Sequence, residues 1–304
     1  MPRIIQFNHP GFEHKHDKGD KHHKSWNDGR HLRKFMLSRG DYIDNDGSLV
    51  SNQDMMFWGE WEPDSYVRNL QIRKNDKYPE YIHTPYIPAE LPTPNPGDGP
   101  CGPKDKHWQN TDPFVFGDNF KYAICRQGLQ NEGFRIVNLK PGTLILFGST
   151  YKQNEIYETL MIDTVFVVSK DSLSRQDLFS LNFDKISEND KTYFDVSFRM
   201  AYPKNTDYPL THRIYRGVTY EERDQYGGMF SFSPAMICPE DIPRIGFSRK
   251  EINLIHPTGN PQFKFMSVEV IQEKCVSTWT KIKDSCLGST GCIAIRFDMP
   301  NVEL

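Results

Sequence analysis

Between residues 8 and 35 the chain reads NHPGFEHKHDKGDKHHKSWNDGRHLRKF, offering His9, Glu13, His14, His16, Asp17, His22, His23 and His31 as metal ligands. Neutral imidazoles and carboxylates suit zinc, iron or manganese when three or more converge. The spacing fits no H-E-x-x-H framework, and HKHDKGDKHHK also reads as a solvated loop. His9, His14 and His16 are therefore the residual metal candidates, and no bound metal or cofactor is expected. The flanks of the run are more informative. His9 on one side, and Trp26, His31 and Arg33 on the other, mix rigid aromatic surface with donors. Planar guanidinium and indole groups grip phosphates and stack on bases. Ordinary packing of Trp26 and Phe35 beneath surface charges is the competing account.

A second group is Phe57-Trp58-Gly59-Glu60-Trp61-Glu62-Pro63. Two tryptophans and two carboxylates so close together can shape a pocket for a planar or sugar-like ligand. In an extended segment Trp58, Glu60 and Glu62 share a face while Trp61 points away, and Gly59 marks a bulge or a close approach. Glu60 is one candidate general base and His31 the other, although two carboxylates on one face do not by themselves make an acid–base pair.

A third group lies in DPFVFGDNFKYAICRQ, LKPGTLILFGS and MIDTVFVV, between residues 111 and 168. Asp118, Arg126 and Gln127 are polar groups beside aromatics. Asp163 interrupts an apolar strand and needs a cation or donors if buried, as a structural bracket or as part of a site. Here the Pro141-Gly142 turn, the apolar strand ending Phe147-Gly148-Ser149 and the following Asp163-Thr164 strand resemble uncharacterised bacterial or phage proteins of the nucleotide-modification-associated type. They are similar, more distantly, to small PUA-like barrels that read modified bases. The resemblance covers residues 111–168, rests on short motifs and transfers no catalytic residue. It implies an association with nucleotides or nucleic acid.

A fourth group, Tyr215-Arg216-Gly217 followed by Phe230-Ser231-Phe232-Ser233 and by Glu269 or Glu273, is similar to the Arg, Ser and Glu order of ADP-ribosyltransferases that use NAD. In that family the arginine grips the dinucleotide phosphates and the glutamate positions the ribose. This chain departs from the pattern in its serine motif, in the short distance from Arg216, and in lacking a Glu-x-Glu.

The elements that must hold these residues are mostly strands. RIIQF, MMFW, YVRNLQI, FKYAIC, TLILF, TVFVV, FDVSFRMA, HRIY, FMSVEV and CIAIRF are short, β-branched or aromatic, and bounded by turn formers. HLRKFMLSR is expected as two helical turns, and Ser248-Arg-Lys-Glu251 has capping-box spacing for a short helix. Ile271, Cys275, Trp279, Ile282 and Cys286 recur at helical spacing and predict one longer amphipathic helix stopped at Gly288. The fold expected is α+β and β-rich, a curled antiparallel or mixed sheet or barrel with a few peripheral helices. No G-x-G-x-x-G or Walker loop supports a doubly wound nucleotide fold.

Of the 304 residues, 37% are hydrophobic and 13% aromatic, which disfavours disorder because aromatics bury large areas. A net charge of -3 excludes a uniformly basic nucleic-acid coat but not a local basic groove. The near balance conceals a contrast: residues 1–40 carry nine Lys/Arg, four Asp/Glu and six His, whereas residues 41–66 carry seven Asp/Glu and no Lys or Arg. The six cysteines form no C-x-x-C pair and read as free thiols in a reducing cytoplasm, with Cys286 and Cys292 the pair able to bridge a turn. No apolar run spans a bilayer and the start lacks a signal-peptide pattern, so a cytoplasmic protein with no membrane partner is expected. Seven prolines between Pro85 and Pro103 divide the chain into residues 1–84, a linker or surface-laid loop at 85–106, and a β-rich 107–304, unless all three form one unit.

Two functions from different classes follow. The first is nucleotide or nucleic-acid binding in a polar aromatic cleft lined by His9, Trp26, His31, Arg33, Trp58, Glu60, Asp118, Arg126, Gln127 and Arg216. The second is an ADP-ribosyltransferase-like or hydrolytic enzyme using the same cleft. A structural or interaction role, with the aromatics as core, is the third reading. The sequence sets no oligomeric state.

Overall fold

The computed structural model describes residues 1–8, 13, 22–23, 33–70, 79–90, 111–125, 127, 136, 138–153, 156–174, 188–198, 213–240, 249–253, 265–288 and 291–303. In chain order the strands are β1 (Arg3–Asn8), β2 (His22–His23), β3 (Lys34–Ile43), β4 (Leu49–Gly59), β5 (Ser65–Asn69), β6 (Tyr81–Pro85) and β7 (Lys121–Tyr122). There follow β8 (Leu144–Gln153), β9 (Ile156–Ser174), β10 (Arg213–Gly217), β11 (Ser233–Ile237), β12 (Lys250–Asn253), β13 (Phe265–Glu269) and β14 (Cys292–Phe297). The α-helices are α1 (Glu188–Tyr193) and α2 (Gln272–Leu287).

These strands make two mixed sheets, as the β-rich α+β expectation requires. One runs β13-β1-β8-β9-β10-β7, with β12 beside β9. The other runs β14-β11-β4-β3-β6-β5-β2, and β14 also pairs β3, so β3, β4, β11 and β14 close a ring. Each sheet contains one parallel pairing, β1 with β8 and β3 with β6. Residues 1–84 and 107–304 interleave in both: β1 lies between β8 and β13, and β14 lies against β3. Ile87 bridges Val302, while residues 91–106 of the proline-rich stretch lie outside the described residues.

The alternation of the strands explains the two main cores. Ile5 and Phe7 of β1 and Ile145 and Phe147 of β8 face an aromatic core shared with Phe57, Phe116, Tyr122 and Phe297. Ile4, Leu144 and Leu146 face the opposite way, onto Trp279 and Ile282 of α2. Strands covered on both faces have no polar side to show, hence the continuous TLILF. α2 buries Cys275, Trp279, Ile282 and Cys286 of the expected stripe, but Ile271 is its N-cap residue and stands 57% exposed; Gly288 N–H closes the other end on the Asp284 carbonyl. Among the described residues no helix is long and apolar enough to cross a membrane.

Three expected elements are corrected. HLRKFMLSR is not helical over its described part. β3 is a strand, because β4 supplies partners from Lys34↔Gly59 to Ile43↔Leu49 and this pairing overrides the local helical spacing. Lys250–Asn253 is likewise β12, paired with β9, and not a capped helix. Conversely, Phe194–Phe198 within FDVSFRMA is a π-helical turn continuing α1. Tyr193 and Val196 enter the aromatic core there, and Ser197 Oγ donates to the Thr111 carbonyl at 2.6 Å. Cys125, Cys238, Cys275, Cys286 and Cys292 are free thiols, so Cys286 and Cys292 do not bridge the turn.

Candidate functional site

The two sheets meet through charge. Arg33 immediately precedes β3, and Glu60 immediately follows β4, so strand register brings them side by side. Arg33 is 1% exposed; its Nη1 donates to Glu60 Oε2 at 2.7 Å and its Nε to Asp163 Oδ2 at 2.7 Å. Asp163 is available because β9 bulges there: Phe147 pairs Thr164 but the next residue, Gly148, pairs Ile162. A Cβ at Gly148 would lie 2.0 Å from the Met161 carbonyl oxygen, so only glycine allows that approach. Arg249 enters at the head of β12, with Nε 3.3 Å from Asp163 Oδ1 and Nη1 donating to Ser149 Oγ at 3.0 Å. Its guanidinium lies 4.2 Å from the Trp58 ring centroid. Of the motifs that carry the sequence resemblance, Ser149 and Asp163 reach this cluster, whereas Phe147 packs in the aromatic core and Thr164 meets Ser233.

Further carboxyls surround the ion pairs. Asp112 is fully buried and accepts the backbone N–H groups of Ala123, Ile124 and Cys125 at 2.7–3.0 Å. Burial pushes it up to about 7 against those three donors. Glu13 accepts from the Glu80 and Tyr81 N–H groups and is also raised, to about 7, by burial. Lys34, buried on the other side of the strand end, donates to the Pro63 carbonyl at 3.1 Å. Burial pushes it down to about 8, with Glu62 and Asp64 opposing. Glu62 differs from all of these. It is 0% exposed, and its carboxyl meets no N–H donor among the described residues but lies against the Glu60 carboxyl, where a proton on Glu62 bridges the two. Burial raises it well above the carboxylate range, the Glu60 charge beside it pushes the same way, and Lys34 and Arg33 oppose.

The sequence candidates therefore divide. Arg33, Trp58 and Glu60 come together in the cluster, and Trp58 Nε1 is buried without a partner. Trp61 points the other way, against Phe116, with its indole N–H on the Asp64 carbonyl at 2.8 Å. Asp118 and Arg216 lie elsewhere. Arg216 pairs with Asp190 at 3.1 Å beside Lys121, while Asp118 is exposed near Lys121. Gln127 serves the framework: its amide exchanges two hydrogen bonds with the Arg213 backbone. His9, His14, His16, Trp26, His31 and Arg126 lie outside the described residues. Among the described residues no three His, Cys, Asp or Glu side chains group as metal ligands.

Comparison of the chain with family models, with curated proteins and with solved structures finds no match. Arg216 and Glu269 are on β10 and β13, with β9, β8 and β1 between them, and Glu269 pairs with Arg3. Ser231 Oγ and Ser233 Oγ are engaged by Val167 N and Thr164 Oγ1, so the transferase-like residues are not assembled around one space. Cys125 is poorly placed as a nucleophile, because burial and the nearby Asp112 and Glu60 hold its thiol well above the ordinary range. Of the cluster members, Arg249, Ser149, Lys34 and Asp112 went unmarked as site residues in the sequence. Arg249 offers no local signal, whereas Asp163 announces itself as a charge in an apolar strand.

Proposed function

We propose that this chain binds a nucleotide or a nucleic-acid base in the charged cluster between its sheets. The observation that carries the reading is the Trp58 indole with the Arg249 guanidinium on its face and an uncommitted N–H, set beside Arg33, Glu60 and Asp163. Aromatic and guanidinium planes suit a heterocycle, and the carboxyl and guanidinium edges supply the acceptors and donors of its rim. Net charge argues against a broad phosphate-coating surface, which favours one base held in a cleft over many phosphates held along a face.

The test is a thermal-shift and calorimetric screen of the four nucleoside 5′-monophosphates and a short single-stranded oligonucleotide at 50 and 200 mM salt. A bound ligand raises the melting temperature by mass action. Trp58→Phe keeps a ring in the core but removes the indole N–H, and it should weaken binding several-fold while the unliganded protein still melts cooperatively. No shift with any of these compounds overturns the reading. A second reading, hydrolysis or group transfer with Glu60 as the base, is supported by the proton-holding Glu62 beside it. Product appearing in the same mixtures would decide for it.

A further inference from the structure

We infer that Lys121 and Arg216 form a seat for a phosphate group, occupied in this state by the Asp190 carboxylate as a built-in plug. The seat is separate from the cluster between the sheets and does not depend on the base-binding reading above. It begins with register. β7 and β10 set Lys121 directly opposite Arg216, and the neighbouring pair, Tyr122 and Tyr215, stacks in the aromatic core with ring centroids 5.8 Å apart. Alternation therefore sends both cations to the other face. Like charges directly opposite one another destabilise a sheet, and an anion between them reverses the sign. Asp190 of α1 supplies that anion: its Oδ2 accepts from Arg216 Nη2 at 3.1 Å, and its Oδ1 lies 3.5 Å from Lys121 Nζ.

One carboxylate does not saturate this seat. Arg216 Nε is buried and meets no acceptor among the described residues. Lys121 Nζ has, besides Asp190, the Asn119 carbonyl at 3.3 Å and the Phe114 ring at 5.7 Å. Burial holds the Lys121 amine below the ordinary lysine range; Asp190 opposes this, Arg216 adds to it, and Asp118 opposes it last. Asp118 is exposed, so water screens its charge. A phosphate group carries close to two negative charges and three acceptor oxygens, enough to take Arg216 Nε and Nη2 as a fork and Lys121 Nζ together. A free carboxylate only repeats what Asp190 does, without the high effective concentration of a tethered group, and so loses to it. The plug is also placed to leave. The Asp190 side chain is 25% exposed and Arg216 is 32% exposed. α1 is anchored farther along, by Tyr193 against the Phe114 ring at 5.3 Å and by Ser197 on the Thr111 carbonyl. Phosphate enters from this exposed side as Asp190 withdraws.

The experiment is calorimetric titration of the full chain with sodium phosphate, phenyl phosphate and sodium acetate at pH 8 and constant ionic strength, for wild type, Asp190→Asn and Arg216→Lys. Wild type should bind phosphate and reject acetate. If Asp190 holds the seat about nine-tenths of the time, Asp190→Asn tightens phosphate about tenfold. Arg216→Lys keeps the charge but loses the fork, and should weaken phosphate about tenfold. Phenyl phosphate binding at least as tightly as phosphate assigns the seat to a monoester, and weaker binding assigns it to the free ion. Asp190→Asn also leaves two cations unbridged, so its melting temperature should fall and be restored by phosphate but not by sodium chloride of equal ionic strength. Absence of phosphate binding in Asp190→Asn, or binding unaffected by Arg216→Lys, overturns the seat. Equal phosphate affinity in wild type and Asp190→Asn overturns the plug. Should Asp190→Asn fail to fold, wild type against Arg216→Lys still decides the seat. The base-binding reading, tested through Trp58→Phe, stands or falls separately.

Discussion

Arg33 and Arg39 lie at the start and in the middle of one strand run, and each faces a carboxylate, yet burial gives the two contacts opposite weight. Arg39 meets Asp54 at 2.9 Å with both side chains about half exposed, where water competes for each charge. Arg33 joins Glu60 and Asp163 with all three side chains almost wholly buried. Removing one partner of such a group leaves uncompensated charge in a low-dielectric interior. Arg33→Met should therefore cost about 3–5 kcal/mol in urea unfolding, whereas Arg39→Ala should leave the urea midpoint unchanged. A mild Arg33→Met phenotype would mean that Glu60 and Asp163 take up protons easily and that the pairing is incidental to the fold.

At the level of elements, the bulge at Gly148 turns a strand residue into a site residue. Without it Asp163 would be one more ladder member, and the charge between the sheets would have no acceptor from β9. Gly148→Ala forces a Cβ against the Met161 carbonyl oxygen, and crowding of this kind costs about 1–3 kcal/mol. The loss should appear in urea unfolding together with faster amide exchange at the β8–β9 ladder beside the bulge. Exchange unchanged there would show that the ladder accommodates the methyl group. The same strands show what the sequence discloses. TLILF, TVFVV and the α2 stripe were legible because burial pattern and element period coincide. β3 and β12 were not, since their partners, β4 and β9, are distant in the chain and local spacing mimicked a helix. Within the site, Glu60 and Trp58 could be picked out by composition. Arg249 could not, because what places it beside Asp163 is β12 pairing on β9.

For the whole molecule, the buried carboxyls set a pH dependence whose sign follows from the direction of their shifts. Asp112 and Glu13 rise to about 7 and Glu62 is also raised, so between roughly pH 4 and 7 the folded chain holds protons that the unfolded chain has released. Their contribution to stability is complete below the unfolded values and is lost as pH rises through the folded ones. Lys34 acts in the other direction. Lowered to about 8, it is costly while charged, and that cost is relieved as pH climbs from 8 toward the ordinary lysine range. Above pH 9 the buried thiols of Cys275, Cys286 and Cys292, raised to about 11, 12 and 12, oppose this gain. The chain also has ten histidines, so a wild-type profile alone would not isolate the carboxyls. A difference between variants separates them. Glu62→Gln and Asp112→Asn each remove one shifted carboxyl and leave every histidine in place. Urea midpoints measured from pH 5 to 7.5 should fall less steeply with pH in each variant than in wild type. Parallel profiles would show that these carboxyls ionise normally in the fold, and that the charge at the sheet junction is solvated rather than sequestered.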